Sequence, residues 1–138
     1  MTTFFDTNIL VYAVDPRSAV KQQTALALYA QAIEERSFAI STQVLVEFYN
    51  ATTKGAQPLL ARHEARVQTT ALARQRVVPT TAAMVVAATA HVERNQLQWW
   101  DALMLEAALS VGATTFYSED FQHRQRFGDL TVVNPFAA

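Results

Sequence analysis

The sequence predicts an α/β fold in one domain over residues 1–138, with a mostly parallel central sheet of about five strands flanked by helices. Short apolar runs alternate with segments of helical periodicity along the whole chain, which is the pattern of successive βαβ units. Hydrophobic residues make up 51% and charged residues 17% of the 138 residues, a composition typical of one compact core. We therefore expect ligands to bind at the carboxyl ends of the strands.

The first half of the chain predicts two strands, each followed by a helix. Apolar residues recur at helical spacing after Ser18, a suitable N-cap, while Asp15 and Pro16 interrupt the apolar run before it. Thr42 is a suitable N-cap for the next helix, and Gly55 would end that helix. The predicted elements are, in order, a strand at 2–5, a helix at 18–36, a strand at 38–41 and a helix at 43–54.

The second half predicts three more strands. Pro58 precedes a segment with apolar residues on one helical face, and Gly112 follows the last strongly apolar helix. The predicted elements are, in order, a helix at 59–76, a strand at 77–80, helices at 81–95 and 99–112, a strand at 114–118, a short helical or looped segment at 119–129, and a strand at 130–134.

Composition excludes several functional classes. The formal net charge is -1, so any nucleic acid would have to be held by local basic clusters or metal ions instead of bulk charge. There is no cysteine, and His63, His91 and His123 show no paired spacing, so a zinc site could use only histidine and carboxylate. The N-terminus lacks the pattern of a secretion signal and no apolar run is long enough for a membrane span, so we expect a cytoplasmic protein.

Four of the twelve acidic residues stand in or beside apolar sequence, where an unpaired charge is costly. Asp6 ends the first strand and Asp120 follows the fourth, while Glu47 lies within one helix and Asp101 at the start of another. The other acids fit turns, helix surfaces or helix ends, namely Asp15, Glu34, Glu35, Glu64, Glu93, Glu106, Glu119 and Asp129.

Taken singly, each of these four acids has a structural interpretation. Asp6 and Asp120 would serve in turns or caps, Asp101 would favour a helix N-terminus, and Glu47 would form a salt bridge. Taken together, two lie at strand ends and two on helices that could overhang the same sheet edge. Clustered carboxylates without bases repel one another, and a hard cation such as Mg²⁺ or Mn²⁺ would stabilise them, although a tertiary basic partner remains open.

Four blocks of sequence carry a resemblance to a known family. "FFDTNILVYA", "STQVLVEFYN", "WWDALMLEAA" and "FYSEDF" occur in the order found in the PIN-domain ribonucleases, and the chain resembles in particular the VapC-type toxins of bacterial toxin-antitoxin pairs. The match extends from Asp6 to Asn134. One "DTN" triplet would be weak evidence, but four blocks at these separations are specific.

The resemblance implies a Mg²⁺- or Mn²⁺-dependent endoribonuclease that hydrolyses RNA with metal-activated water and no covalent intermediate. It assigns catalysis and metal binding to Asp6, Glu47, Asp101 and Asp120, with Glu119 as an alternative to Asp120. Asn8 and Ser118 match polar family positions that support the metal ligands. The resemblance also implies an α/β PIN fold, a homodimer and a cognate antitoxin that docks over or near the acidic groove.

Contacts with RNA and protein are less specified by the sequence. We expect Arg124 and Arg126 to contact RNA because they closely follow Asp120, and next Lys54 with Arg62 and Arg66, although solvated surface charge is the ordinary interpretation of each. Trp99 and Trp100 could stack on bases or belong to the core. The apolar segments 25–35 and 44–53 could form a partner groove, and core packing would produce the same pattern.

Other classes of protein also place an aspartate at the end of the first strand. A phosphatase of the haloacid dehalogenase type needs a second aspartate two residues later, where this chain has Asn8. A phosphoacceptor receiver module needs an acidic pair before its aspartate and a lysine near the last strand, and neither is clear here. A PIN fold that has lost catalysis and acts as a protein-interaction module is the third alternative.

Overall fold

The computed structural model describes residues 1–137, and it confirms the α/β fold with a mostly parallel sheet flanked by helices. Over these residues there are six strands and six helices. The strands are β1 (Thr3–Phe5), β2 (Phe38–Ser41), β3 (Val77–Val78), β4 (Thr115–Tyr117), β5 (Arg126–Phe127) and β6 (Leu130–Val133). The helices are α1 (Thr7–Ala13), α2 (Ala19–Glu34), α3 (Thr42–Thr53), α4 (Arg62–Ala73), α5 (Ala82–Asn95) and α6 (Trp99–Ser110).

The strand order in the sheet is β3-β2-β1-β4-β6-β5. The first five strands of this order run parallel, and β5 pairs antiparallel with β6 at the edge. In the register of the central pair, Phe4 lies beside Phe116 and Phe5 beside Tyr117. The residues that follow β1 and β4 therefore leave the sheet at the same edge, because parallel neighbours end together.

The core is formed where the helices cover this sheet. Phe4 and Phe116 are fully buried, and their rings meet edge to face at 5.6 Å between centroids. Phe5 packs on Phe38 of β2 at 4.9 Å, so aromatic contacts join the three central strands. Over residues 1–137, no helix combines the length and the hydrophobicity needed to cross a membrane.

Three features of the fold differ from the sequence prediction. Residues 7–13, for which the sequence predicts only an apolar run after the first strand, form the short helix α1, which Asp6 caps. The segment 119–129 contains a sixth strand, β5, because Gly128 adopts a positive φ of 62° and allows a tight turn back onto β6. The N-cap of α3 is Ser41, and Thr42 is already its first helical residue. The hydroxyl of Thr42 instead contacts the β3 end, donating to the carbonyl of Val78 at 3.4 Å.

Candidate active site

Asp6 is buried at the point where β1 passes into α1. Its Oδ1 accepts a hydrogen bond from the backbone N–H of Thr7 at 2.7 Å, so Asp6 is the N-cap of α1 as well as a candidate site residue. Its Oδ2 accepts a hydrogen bond from the hydroxyl of Ser118, also at 2.7 Å. Ser118 follows β4, so adjacent parallel strands deliver both partners.

The pKa values of Asp6 and Asp101 are raised by burial and by nearby carboxylates. Burial, followed by repulsion from Asp120 and Glu47, raises the pKa of Asp6 to about 7, even though Ser118 and the Thr7 amide favour its ionised form. The pKa of half-buried Asp101 rises to about 6, again through burial and then repulsion from Asp120 and Glu47. The structure therefore brings the four predicted carboxylates into one electrostatic cluster.

Glu47 extends from α3 toward this cluster and both of its oxygens are held. Its Oε1 accepts a hydrogen bond from the hydroxyl of Thr7 at 2.8 Å, and its Oε2 accepts one from the amide of Gln43 at 3.0 Å. The same Gln43 amide nitrogen donates to the carbonyl of Trp100 at 3.0 Å. Gln43 therefore links Glu47 on α3 to the start of α6, where Asp101 lies.

Asp120 lies in the loop after β4, with its carboxyl group partly buried, and it forms hydrogen bonds with both Asn8 and Ser118. The amide of Asn8 donates to its Oδ2 at 2.9 Å, and its backbone N–H donates to the hydroxyl oxygen of Ser118 at 3.0 Å. Partial burial raises the pKa of Asp120, and repulsion from Glu119 and Glu47 adds to the rise, whereas the Asn8 hydrogen bond lowers it. Ser118 thus contacts both Asp6 and Asp120.

Glu119 points to different partners from those of its neighbour Asp120. It accepts a hydrogen bond from the hydroxyl of Tyr12 at 2.7 Å and forms a salt bridge with Lys21 at 3.5 Å. The Lys21 ammonium also lies 4.6 Å from the centre of the Tyr12 ring and 5.1 Å from that of Phe136. The charge of Glu119 is therefore partly offset within the chain, unlike that of Asp120.

A surface groove of about 440 Å³ opens over these acids, which we call the acidic groove. The residues that line it are Asp6, Thr7, Asn8, Val11, Tyr12, Glu47, Asn50, Ala51, Lys54, Glu119 and Asp120. Asp101 is not in this lining and reaches the cluster from its α6 side. Among the predicted RNA contacts, Lys54 lines the acidic groove, whereas exposed Arg124 and Arg126 lie outside its lining, before and within the edge strand β5.

The cluster offers the oxygen ligands that a hard divalent cation prefers, but the side chains are not arranged closely around a single point. In residues 1–137, no set of three or more His, Cys, Asp or Glu side chains is already arranged to hold a metal ion. Over the same residues, no lysine or arginine forms a salt bridge with any of the four clustered acids. The Asn8 amide oxygen is also buried there without a hydrogen-bond partner. Oxygen donors with uncompensated charge suit Mg²⁺ or Mn²⁺, and an ion would have to draw these side chains closer.

Four residues that hold the acids in place, Thr7, Gln43, Tyr12 and Lys21, were not singled out from the sequence. Thr7 stands inside the "DTN" triplet, and Gln43 precedes Glu47 by four positions, the spacing that puts two side chains on one helical face. The sequence therefore contained a local signal for Thr7 and another for Gln43. Tyr12 and Lys21 reach Glu119 over separations of 107 and 98 residues, and no local pattern reveals such a pairing.

Residues 3–126 match the family model of the PIN domain. The chain belongs to the PIN domain family. No curated protein matches the chain significantly.

Solved structures of toxin-antitoxin proteins share this fold. VapC20 of Mycobacterium tuberculosis, described as a sarcin-ricin-loop-cleaving toxin, is 21% identical with a TM-score of 0.68, covering 85% of this chain and 88% of its own. A toxin-antitoxin complex from Klebsiella pneumoniae is 19% identical with a TM-score of 0.70, covering 99% and 100% of the two chains. VapBC2 from Rickettsia felis, bound to a DNA fragment from its promoter, is 18% identical with a TM-score of 0.67, covering 96% and 97%. At these identities the likeness establishes the fold.

Proposed function

We propose that this protein is a Mg²⁺- or Mn²⁺-dependent endoribonuclease that acts as the toxin of a toxin-antitoxin pair. The observation that carries the proposal is the cluster of Asp6, Glu47, Asp101 and Asp120 at the carboxyl edge of the sheet, where burial and then repulsion from Asp120 and Glu47 raise the pKa values of Asp6 and Asp101. Membership of the PIN domain family and the similar fold of toxin proteins support the same activity.

The four carboxylates would hold the ion. Asp6 and Asp101 are the principal ligands in this proposal, Glu47 completes the site or orients water, and Asp120 would hold a second or more labile ion. When bound, the ion activates water and offsets charge on the phosphodiester during in-line displacement. Ser118 holds Asp6 and Asp120 in fixed relation through its two hydrogen bonds.

Glu119 has a supporting role in this proposal. Its hydrogen bond from Tyr12 and its salt bridge with Lys21 engage both of its oxygens. Asp120 lacks such a cation and is oriented by Asn8, so Asp120 is the better metal ligand of the pair. Because Asn8 donates to a carboxylate here, it serves as an orienting group and not as the general acid that a phosphatase of the haloacid dehalogenase type requires.

The proposal also includes the partners and location that the resemblance implies. An antitoxin would cover the acidic groove or the neighbouring surface, where Leu26 and Tyr29 of α2 line an apolar pocket with Phe48 of α3. A homodimer and a cytoplasmic location are further parts of the proposal. Sedimentation of the purified protein would test the dimer, and an antitoxin would be recognised by its inhibition of RNA cleavage.

Calorimetric titration with Mn²⁺ tests the metal site directly and needs no RNA substrate. We expect wild-type protein to bind Mn²⁺ and both Asp6→Asn and Asp101→Asn to lose most of that binding, because each removes a charged oxygen ligand. Asp129→Asn is a matched control, since Asp129 is exposed in the β5–β6 turn. The same four proteins would then be assayed for cleavage of total RNA with Mg²⁺, and both site variants should be inactive.

The results separate the proposed nuclease from its alternative. Mn²⁺ binding that is unchanged in both site variants would contradict the assignment of the ligands. Absence of Mn²⁺ binding and of RNA cleavage in folded wild-type protein would favour a catalytically inactive PIN-fold interaction module. Folding of the variants would be checked by circular dichroism, so that lost binding is not mistaken for unfolding.

A further inference from the structure

A second groove, of about 380 Å³, lies on the other side of Glu47 from the acidic groove, and we call it the Trp100 groove. The residues that line it are Thr42, Gln43, Val46, Glu47, Asn50, Thr80, Trp100 and Leu103. Trp100 is 61% exposed and Val46 is 65% exposed, which is unusual for large apolar side chains that meet at one site. Of the residues in its lining, the proposed chemistry uses only Glu47.

We propose that the Trp100 groove binds an unpaired nucleobase of the RNA substrate, stacked on the Trp100 ring beside the cleaved phosphodiester. This inference rests on the proposed ribonuclease function and specifies its substrate as RNA that is single-stranded at the cleavage site. Base stacking on an aromatic side chain tolerates any base, because every base presents a π-face.

The position of the groove supports this assignment. Glu47 and Asn50 line both the acidic groove and the Trp100 groove, so the two are continuous. Trp100 immediately precedes Asp101 in the first turn of α6. A nucleotide whose phosphate lies at the carboxylate cluster can therefore place its base in the adjacent groove without leaving the surface.

The chemistry of the lining favours a neutral planar group over a phosphate. Among the described residues that line the Trp100 groove there is no lysine, arginine or histidine, and Glu47 adds a negative charge. A phosphate would be repelled there, whereas a base buries its faces against Trp100, Val46 and Leu103. A base paired in a duplex exposes only its edges, so the base that enters must be unpaired.

A polar group in the wall lacks a partner. Gln43 is buried, with 7% of its surface exposed, and its amide nitrogen already donates to Glu47 and to the Trp100 carbonyl. Its amide oxygen has no hydrogen-bond partner within residues 1–137 and is closed off from solvent. Gln43 therefore shapes the wall of the Trp100 groove through its two donated hydrogen bonds, and no contact with the base is assigned to it.

The test compares cleavage of a short single-stranded RNA with that of a second RNA that lacks the base beside the cleavage site. For wild-type protein, removal of the base should raise KM roughly 5- to 150-fold, the range expected for loss of one stacked base. Trp100→Ala should raise KM for the intact RNA by the same factor and be insensitive to base removal. Trp100→Phe should restore most of the affinity, and Val67→Ala, at an exposed residue of α4, is the control.

A binding measurement that needs no cleavage tests the base site separately from the proposed nuclease activity. In a Trp99→Phe background, fluorescence of Trp100 should be quenched by the single-stranded RNA in Ca²⁺ and not by the RNA that lacks the base. Quenching without any cleavage by wild type would contradict the proposed ribonuclease and retain the base site. Cleavage with KM unchanged in Trp100→Ala would overturn the base site alone. Conversion of a dimer to a monomer by Trp100→Ala, with unchanged KM per protomer, would assign the groove to a second copy of the chain.

Discussion

Asp6 has a structural role, although its surroundings disfavour the ionised form of its carboxyl group. It caps α1 through the Thr7 amide and joins β1 to β4 through the Ser118 hydroxyl, yet it is buried beside Asp120 and Glu47. An Asp that only capped a helix would gain from ionisation. The pKa of Asp6 is raised because burial, with added repulsion from Asp120 and Glu47, outweighs both hydrogen bonds, a condition typical of functional sites.

This environment makes a prediction for stability as a function of pH. The pKa of Asp6 is about 7 in the folded protein against 3.8 in the unfolded chain, so the folded state binds the proton more tightly. In metal-free protein, the Asp6 contribution to stability is fully present below about pH 4 and is lost as pH rises to about 7, at a cost of up to about 4 kcal/mol. Thermal unfolding at several pH values, with chelator, measures this change.

The matched variant for that measurement is Asp6→Asn, which keeps the shape but cannot ionise. Its stability should exceed that of wild type in metal-free buffer at pH 8, and the difference should shrink toward pH 4. Mg²⁺ should stabilise wild type at pH 8 more than the variant, because a ligand that binds only the folded state raises its stability. A difference between the two proteins that does not vary with pH would contradict the raised pKa.

The hydroxyl of Thr7 is expected to position Glu47 for metal binding. Thr7→Val keeps the side-chain shape and removes the hydrogen bond to Glu47 Oε1. We expect Mn²⁺ affinity to fall about 10- to 100-fold, the usual effect of losing a group that orients a metal ligand. Calorimetry measures this change, and Thr53→Val, where the hydroxyl donates to the Tyr49 carbonyl within α3, should leave affinity unchanged. Equal affinities for wild type and Thr7→Val would show that Glu47 needs no such orientation.

At the scale of elements, the site is assembled by the ends of strands and the starts of helices. β1 passes directly into α1 and β2 directly into α3, so each strand delivers a helix to the carboxyl edge of the sheet. α6 joins the same site through the hydrogen bond between the Gln43 amide and the Trp100 carbonyl. Side chains on rigid elements are held more firmly than side chains on loops. Glu47 and Asp101 lie within helices, Asp6 is the single residue between β1 and α1, and Asp120 lies in a loop.

The N-cap of α5 tests whether an element can be weakened without damage to the site. The Thr81 hydroxyl accepts a hydrogen bond from the Met84 N–H at 3.2 Å. Thr81→Ala should lower the free energy of unfolding by about 1 kcal/mol, with Mn²⁺ affinity unchanged. Urea unfolding measures the loss. Thr89→Ala, within α5, is the matched control and should be neutral or slightly stabilising because alanine favours helix interiors.

At the scale of the whole molecule, the aromatic core determines whether the site exists. Phe116 of β4 is fully buried and contacts Phe4 at 5.6 Å and Phe121 at 5.2 Å between ring centroids. These contacts hold β4 beside β1, and that adjacency brings Ser118 to Asp6. Core packing and site geometry are therefore coupled through one pair of strands.

Phe116→Ala should accordingly reduce both stability and metal binding. We expect the free energy of unfolding to fall by about 3 to 5 kcal/mol, through lost burial and the cavity left behind. Urea unfolding measures this loss, and Mn²⁺ calorimetry on the folded fraction measures the effect on the site. Val20→Ala, at a residue that is 78% exposed, should change stability by less than about 0.5 kcal/mol. Similar losses in the two variants would contradict the proposed core.

Much of the fold could be predicted from local pattern, and the exceptions have identifiable causes. Helices α2 to α6 and strands β1 to β4 and β6 follow from apolar periodicity and from end signals such as Ser18 and Gly112, which are properties of contiguous segments. Helix α1 was missed because it has only seven residues and its apolar positions show no clear helical spacing. The strand β5 was missed because it has only two residues, Arg126 and Phe127, and exists through its pairing with β6. The four acids were selected as charges placed in apolar surroundings, a signal that needs no tertiary information.

The sequence by itself determined the α/β alternation, the residue types available for chemistry and the family to which the chain belongs. Only the tertiary structure decided which groups meet: Ser118 with Asp6 and Asn8 with Asp120, each across 112 residues, and Lys21 with Glu119 across 98. The physical reason is that periodicity and capping act within a few residues, whereas parallel strand order brings distant segments to one edge. Hydrogen bonds and charge repulsion at that edge depend on distances between residues that are far apart in the chain, and a short stretch of sequence does not specify those distances.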